Sequence, residues 1–327
     1  MATFEFPRLT TEPRPLTPLS VAVLAGGDSA ERVISLASGE AVTRALTERG
    51  HTVTVVDPAQ VDLQSFDWSG LDVAFLALHG RNGEDGSIQE LLEKAEMPYT
   101  GSDAAASRLG FSKSATKERF FQNSVPTPQY VLIHESDTAE RILAHARSLG
   151  FPLVVKPDTQ GSSLGVSIVR SADELPQALT KCFHYDAFGI LEPLISGTEW
   201  TVGMLDETVL PLIQITTDRA FFDYDAKYHD ETTGYCFDFD VTTDVVKSIE
   251  RAARAACQSI GTRGLARVDM ILDRFRQPWV LEVNTIPGLT DHSLVPKAAA
   301  RIGLSLGELC ERAIQSCLRT SAPRRRG

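Results

Sequence analysis

Two polar residues interrupt an apolar, strand-like segment near the end of the sequence. In PWVLEVNTIPG, residues 278–288, Glu282 and Asn284 are two positions apart, and the segment stops at a Pro-Gly pair. The strand-like segment ARVDMILD, residues 266–273, carries Asp269 in a similar apolar setting. Carboxylate and amide oxygens are hard donors, which Mg²⁺ accepts as ligands while it keeps water and phosphate oxygens. These residue types therefore indicate a candidate metal site.

The two segments can fold into one hairpin. A turn centred on residues 275–276 places Asp269 opposite Glu282 and Arg267 opposite Asn284. Because side chains alternate between the faces of a strand, these four side chains share one polar face. The other face is then expected to be wholly apolar and to consist of Val268, Met270, Leu272, Trp279, Leu281 and Val283.

A structural explanation of this polar face competes with the functional one. Most antiparallel hairpins bury one face and leave the other in water, so four polar residues on one side need no ligand. Two acids directly opposite each other, however, repel. A bound cation between Asp269 and Glu282 would relieve that repulsion.

A polar loop between two apolar strands is the second candidate site. LVVKPDTQGSSLGVSIV, residues 153–169, has Lys156 at the end of its first strand and Ser162 and Ser163 in the loop. Such a loop can offer backbone N–H groups and hydroxyls to phosphates while the lysine supplies a charge. It lacks the GK[ST] of a Walker A loop, and most Gly/Ser hairpin tips are only turns.

Composition limits the classes of protein that remain. The chain has 327 residues, 43% hydrophobic residues and a net charge of -11, which disfavours nucleic acid and anionic membranes as partners. No apolar run approaches the roughly 20 residues of a membrane span, and the first 20 residues do not resemble a signal peptide. The five cysteines contain no CxxC pair, so we expect buried thiols rather than disulfides. A cytoplasmic location is expected.

Alternating strands and helices predict the domain organisation. The order strand, helix, strand, strand, helix after Ser20 is typical of a parallel α/β sheet, and the next unit mixes helices with antiparallel strands. The predicted segments are a tail at 1–19, an N-terminal α/β domain at 20–101, a central α+β domain at 102–191, a C-terminal domain at 192–319 and a tail at 320–327.

Taken in order, several short motifs resemble the D-alanine–D-alanine ligase family of the ATP-grasp superfamily. The resemblance runs from about Val21 to Leu318. It is carried by GGDSAERVISLASG, LALHGRNGEDGSIQELLE, PYTGSD, FSKSATK, VVKPDTQGSSLGVS, FFDYDAKY, GLARVDMILD and LEVNTIPGLTDHSLVP. It implies a three-domain ATP-grasp fold with ATP between the central and C-terminal domains.

The resemblance also implies a reaction. Two D-alanines are joined at the expense of ATP through a D-alanyl phosphate, which serves peptidoglycan synthesis in the cytoplasm, and the enzyme is a homodimer. Two Mg²⁺ or Mn²⁺ ions are implied at Asp269, Glu282 and Asn284. The implied ATP-binding residues are Lys113, Lys156, Ser162, Ser163, Glu192, Glu199 and Lys227.

Further roles follow from the same resemblance. Arg267 and the Gly288 backbone N–H match the donors that stabilise the tetrahedral oxyanion. The implied substrate-binding residues are Glu31, His79, Arg267, Ser293 and Leu294, with Glu31 at the first ammonium group. Ser162, Tyr228 and Glu31 match a hydrogen-bonded set that closes the site against water.

Two other functions remain open at this point. A sister ligase would use D-lactate or D-serine as its second substrate, although Tyr228 in YDAKY favours an amine acceptor by resemblance. A non-catalytic nucleotide-binding regulator could keep the fold, because fold alone does not determine function. Such a regulator usually loses its metal ligands, and here Asp269, Glu282 and Asn284 are all present.

Overall fold

Three β-sheets lie among residues 16–217 and 232–321, which are the residues that this computed structural model describes. The first sheet has the order β2-β1-β3 and is parallel, with β1 at Ser20–Leu24, β2 at Thr52–Val56 and β3 at Val73–Leu76. The central strand reads VAVL from residue 21 and is fully buried because helices cover the sheet. These helices include α1 at Arg32–Glu48 and α2 at Ser87–Lys94. The predicted parallel α/β unit is confirmed.

The second sheet is antiparallel, with the order β4-β7-β5-β6. Its strands are β4 at Val131–His134, β5 at Leu153–Pro157, β6 at Ser167–Val169 and β7 at Phe188–Pro193. Two helices, α5 at Ala139–Leu149 and α6 at Leu175–Phe183, bury its apolar side around Ile133, Val155 and Leu191. The mixture of helices and antiparallel strands predicted for this region is confirmed.

The third sheet carries the predicted hairpin. Its strand order is β11-β10-β8-β12-β13, and β9 pairs with β8. The strands are β8 at Gly197–Leu205, β9 at Thr208–Val209, β10 at Ile213–Thr216, β11 at Gly234–Cys236, β12 at Leu265–Asp273 and β13 at Pro278–Asn284. Helix α7, Thr243–Ile260, covers its apolar face.

Four further helices in the described part of the chain pack against the sheets. Helices α3 at Ala104–Phe111 and α4 at Lys113–Gln122 lie beside the third sheet, because Phe120 is packed in the same core as Trp200 and Val280. Helix α8 covers Leu294–Arg301 and α9 covers Leu306–Ser321. Helix α9 returns to the first sheet, where Ile314 shares a core with Val23 and other residues of that sheet. The domain boundaries given above remain predictions.

One part of the predicted hairpin is wrong. A β-bulge between Asp269 and Met270 makes Met270 pair with Val280, so Leu281 is an extra residue of β13 with no partner in the register. Val280 is therefore fully buried in the core, whereas Leu281 and Trp279 are only half-buried. The apolar face consists of Val268, Met270, Leu272, Val280 and Val283.

Candidate active site

The β12–β13 hairpin presents the polar face that the sequence predicts. Arg267 pairs with Asn284, and Asp269 pairs with Glu282, across the two strands. All four side chains are half-buried, while the next residue, Val268, is fully buried. The predicted register is thus confirmed on this side of the bulge.

Asp269 is held in one orientation by its neighbours. Arg267 donates from Nη2 to Oδ2 at 2.8 Å and from Nε to Oδ1 at 2.9 Å. Thr201, on the adjacent strand β8, donates to Oδ1 at 2.6 Å. Charge-assisted hydrogen bonds of this kind are short and directional. The Asp269 carboxylate is therefore fixed before any ligand arrives.

Glu282 and Asn284 complete a set of oxygen donors. Glu282 Oε2 lies 3.8 Å from Lys113 Nζ, and Asn284 Oδ1 accepts a hydrogen bond from the Ile286 N–H at 3.0 Å. Within residues 16–217 and 232–321, no three His, Cys, Asp or Glu side chains form a metal-binding group. Two carboxylates and one amide nevertheless fit Mg²⁺, which takes its other ligands from water and phosphate.

A cavity of about 160 Å³ lies between the second and third sheets. Its wall includes the predicted nucleotide residues Lys113, Lys156, Ser163, Glu192 and Glu199, together with Asp269 and Glu282. Apolar side chains, including Val154, Ile168, Leu194, Trp200 and Leu281, form another part of the wall. An apolar pocket beside cations and carboxylates suits a base and its phosphates.

A buried charge network supports this cavity. Glu192 lies between two lysines, with Lys156 Nζ 2.5 Å from Oε1 and Lys117 Nζ 2.9 Å from Oε2. Burial alone would raise the pKa of Glu192, but the charges of Lys156 and Lys117 outweigh it and lower that pKa. Burial lowers the pKa of Lys117 to about 8, against the opposing effect of Glu192. The carboxylate of Glu192 is thus committed to the lysines, which limits its side chain as a nucleotide contact.

A second cavity, of about 110 Å³, adjoins the first. The two share Lys113, Gln160 and Glu282 in their walls. The second cavity is also lined by the predicted catalytic and substrate-binding residues Glu31, His79, Ser162, Arg267, Gly288, Ser293 and Leu294. The structure thus brings together the described residues of that predicted set.

Glu31 lies at the N-terminus of helix α1, where the backbone turn is anchored by Asp57. Asp57 accepts hydrogen bonds from the Gly27 N–H at 2.9 Å and from Arg32 at 2.7 Å, and these contacts lower its pKa to about 2. Ser162 Oγ donates to Glu31 Oε1. Glu31 Oε2 is buried and accepts no hydrogen bond from the described residues. An ammonium group would satisfy that oxygen.

His79 connects the first sheet to the loop after β13. Its Nε2 lies 3.2 Å from Ser38 Oγ, which also accepts a hydrogen bond from the Leu289 N–H at 3.2 Å. Burial lowers the pKa of His79, although the charge of Glu31 opposes this shift. A neutral imidazole therefore positions the Gly288 loop instead of adding a charge to the cavity.

The loop after β13 leads into helix α8. Ser293 is the N-cap residue and Leu294 the first helical residue. Ser293 Oγ accepts a hydrogen bond from the Thr290 N–H at 3.0 Å, and a Cβ added to Gly288 would lie 2.8 Å from this oxygen. Free N–H groups at a helix N-terminus favour an anion such as a carboxylate. Gly288 allows this close approach because it has no side chain.

Two predicted residues and one motif cannot be placed. Lys227, Tyr228 and the motif FFDYDAKY lie outside the described residues. Their roles remain predictions.

Two residues of this region were missed by the sequence analysis. Lys117 follows Lys113 by four residues, which places both lysines on one face of helix α4, and this spacing was a usable signal. Glu84 lines the second cavity and is only 9% exposed, yet HGRNGEDG reads as an ordinary polar loop. No local pattern marks Glu84 as buried.

Family comparisons agree with this geometry. Residues 57–102 match the family model described as the D-ala D-ala ligase N-terminus, and residues 120–315 match the model of its C-terminus. A D-alanine–D-alanine ligase of Ectopseudomonas mendocina is 43% identical over 88% of this chain and 91% of that protein. One of Alkalilimnicola ehrlichii is 42% identical over 93% of this chain and 96% of that protein.

The chain belongs to the D-alanine–D-alanine ligase family.

Solved structures of this ligase family share the fold. The crystal structure of D-alanine–D-alanine ligase from Bacillus anthracis covers 93% of this chain and 98% of that chain, with a TM-score of 0.81 and 32% identity. The same enzyme complexed with ATP gives a TM-score of 0.80 with 29% identity. The predicted ATP-grasp fold class is confirmed.

The amide hydrogens of the β5–β6 loop are expected to become more protected from exchange when ligands of the ligase family bind. Ser162 and Ser163 have positive φ angles of 51° and 57°, and the loop touches Glu31 across the second cavity. A lid must open for ligands to exchange, so residues 161–163 should exchange amide hydrogens quickly without ligands. Hydrogen exchange with and without an ATP analogue and D-alanine measures this. Helix α5, which is remote from both cavities, is the internal control, and equal protection of the loop in both states would identify a static turn.

Proposed function

We propose that this protein joins two D-alanines into D-alanyl-D-alanine, with cleavage of ATP to ADP and phosphate, for peptidoglycan synthesis. The observation that carries the proposal is the common wall of the two cavities, formed by Lys113, Gln160 and Glu282. A carboxylate bound in one cavity would face a phosphate bound in the other. This arrangement suits transfer of a phosphoryl group to a carboxylate.

We propose that Asp269, Glu282 and Asn284 hold Mg²⁺. The resemblance to the family implies two ions and allows Mn²⁺ in place of Mg²⁺. The donor set fits, and the bound ions would neutralise charge on the phosphates. Lys113 lies beside the same phosphates in this proposal and is itself 8% exposed. Its side chain is positioned by the Gln160 carbonyl, to which Nζ donates at 2.6 Å.

In the first step, the carboxylate of the first D-alanine attacks the γ-phosphorus of ATP. The bond from that phosphorus to the bridging oxygen breaks, ADP leaves, and D-alanyl phosphate forms. Glu31 would bind the ammonium group of this substrate through Oε2, which accepts no hydrogen bond from the described residues. Ser162, which donates to the other Glu31 oxygen, would hold the loop over the site and exclude water from the acyl phosphate.

In the second step, the amine of the second D-alanine attacks the acyl carbon after losing a proton. The carbonyl oxygen becomes an oxyanion, for which Arg267 and the Gly288 N–H are the proposed donors, since both line the cavity. Collapse of the tetrahedral species expels phosphate and leaves the peptide bond. The carboxylate of the second substrate would bind at the N-terminus of α8, at Ser293 and Leu294.

The choice of second substrate, the assembly and the location are further proposals. By resemblance, Tyr228 favours an amine acceptor over D-lactate, and a homodimer in the cytoplasm is proposed. Within the described residues, no helix is both long enough and apolar enough to cross a bilayer. A ligase that uses D-lactate or D-serine as its second substrate is the alternative.

Substrate-dependent phosphate release tests the proposed function. ATP with D-alanine should give phosphate and an equal amount of D-alanyl-D-alanine, whereas L-alanine should give neither. Faster product formation from D-alanine with D-lactate or D-serine would favour the sister ligase. Nucleotide binding without turnover on any of these substrates would favour a non-catalytic regulator.

A further inference from the structure

We propose that Glu84 is a second carboxyl group of the first-substrate ammonium site and releases a proton when that ammonium binds beside Glu31. The proposal rests on the proposed function, since it concerns the D-alanine site. It assigns a positioning and specificity role to a residue for which the sequence predicted none.

The carboxyl groups of Glu84 and Glu31 both lie close to Gly80. Glu84 Oε2 accepts a hydrogen bond from the Gly80 N–H at 2.7 Å. A Cβ added to Gly80 would lie 2.7 Å from Glu31 Oε2, which shows how closely this oxygen approaches the Gly80 backbone. Both carboxyl groups line the second cavity, and both residues are less than 10% exposed, at 7% for Glu31 and 9% for Glu84. The two carboxyl groups therefore face one small space.

The described residues around this space provide no cation that forms an ion pair with Glu31 or Glu84. Within the part of the chain that the structure describes, neither carboxyl group forms an ion pair with a lysine, arginine or histidine. Arg267 is engaged by Asp269 at 2.8 Å, and burial keeps His79 neutral by lowering its pKa. The remaining titratable groups that line the cavity are Lys113, Tyr235, Glu282 and His292.

The environment of Glu84 favours its protonated form. Burial, followed by the charge of Glu31, raises the pKa of Glu84 to about 8, and Glu282 adds to this effect. The Gly80 N–H and Arg267 oppose the shift. In the empty site near neutral pH, Glu84 is therefore mostly a neutral acid beside Glu31. Two like carboxyl groups that share a site commonly behave in this way.

Binding of an ammonium group reverses that balance. A positive charge close to both carboxyl groups favours the ionised form of Glu84, so its proton leaves for the solvent while no covalent bond of the substrate changes. Because protons compete with the ammonium group below the pKa of Glu84, affinity for D-alanine should rise with pH up to about 8. D-lactate has no ammonium group and would leave Glu84 protonated. The pair therefore distinguishes an amino acid from a hydroxy acid at the first position.

Proton release on binding is the direct test. Calorimetric titration of D-alanine into the protein with Mg²⁺ and a non-hydrolysable ATP analogue at pH 7, in buffers of different ionisation enthalpy, gives the number of protons released. The wild-type protein should release about one proton more than Glu84→Gln, in which the amide oxygen can still accept the Gly80 hydrogen bond. Glu96→Gln, which changes an exposed glutamate after helix α2, is the matched control and should behave as the wild type.

A second ligand provides a control that needs no variant of the protein. D-lactate titrated into the wild-type protein should release no proton, whereas D-alanine should. The carboxyl pair would be overturned, and the proposed function left intact, by a protein that synthesises the dipeptide but shows one of two results. In the first, the wild type and Glu84→Gln release equal numbers of protons. In the second, the wild type releases none. Failure to synthesise dipeptide would overturn both.

Discussion

Replacing Asp269 by asparagine or Glu282 by glutamine is expected to reduce ATP turnover by about a hundredfold or more, because a charged metal ligand contributes several kcal/mol to the transition state. The two carboxylates lie opposite each other on the half-buried face of the β12–β13 hairpin, and the apolar face that holds the hairpin in the core is on the other side. Stability should therefore change much less than turnover. Initial rates over a range of Mg²⁺ concentrations, with melting curves of the same samples, measure both effects.

Asp273→Asn is the matched control in the same hairpin. Asp273 accepts hydrogen bonds from the Phe275 and Gln277 N–H groups at 2.8 and 2.9 Å and from Trp279 Nε1 at 2.9 Å. It does not line either cavity. This variant should lower the melting temperature and keep the turnover of the folded protein. Full turnover in Asp269→Asn and Glu282→Gln would show that the polar face is only solvated.

Glu192→Gln is expected to destabilise the protein by about 3–5 kcal/mol, because it leaves buried lysines without their counter-charge. Lys117 is fully buried and Lys156 is 6% exposed, and Glu192 lies between them. Urea unfolding measures the loss. Glu90→Gln is the control, since Glu90 also contacts two cations, Lys94 and Arg108, but does so in solvent. Exposed ion pairs contribute at most about 1 kcal/mol, so the control should change little.

The loss of stability in Glu192→Gln is expected to depend on pH in a defined direction. In the folded protein the pKa of Lys117 is lowered to about 8 from its usual 10.5, so between these values the unfolded chain binds more protons. Stability therefore rises with pH across that window. Without Glu192, which opposes the shift, the pKa should fall further, and the deficit of Glu192→Gln should shrink on going from pH 7 to pH 10. A deficit that is constant with pH, or absent, would contradict the buried network.

A double variant separates charge from packing. Adding Lys117→Gln to Glu192→Gln removes one of the stranded charges, and part of the lost stability should return. The two residues contact each other, so their effects should not be additive. Additive losses would mean that the two side chains act through packing alone.

The alternation of apolar and polar residues was sufficient to predict the antiparallel β5–β6 loop and the part of the β12–β13 register that contains the Asp269–Glu282 pair. Asp269 faces Glu282 as predicted, although the pairs between these two residues and the turn are shifted by one residue from the regular period of two. The bulge breaks that period. No turn residue or glycine marks it, so the sequence placed Trp279 and Leu281 on the core face where the structure has Val280.

Tertiary burial explains why Glu84 and Lys117 were missed. Each is a charged residue in a polar local sequence, and such residues are usually exposed. Glu84 is buried because the first sheet and the loop after β13 meet above it, and Lys117 is buried because α4 packs between the second and third sheets. Helix α8, which positions Ser293 and Leu294, was not predicted from the sequence either.

The bulge makes Leu281 dispensable for strand pairing. Because Asp269 pairs with Glu282 and Met270 with Val280, deleting Leu281 would leave every other pair of the hairpin in register. A deletion in β13 away from the bulge would shift part of the strand and exchange its two faces. Leu281 lines the proposed nucleotide cavity next to Glu282. The strand pairing thus allows the loss of one residue at the bulge. The same deletion would remove an apolar side chain from the wall of the nucleotide cavity.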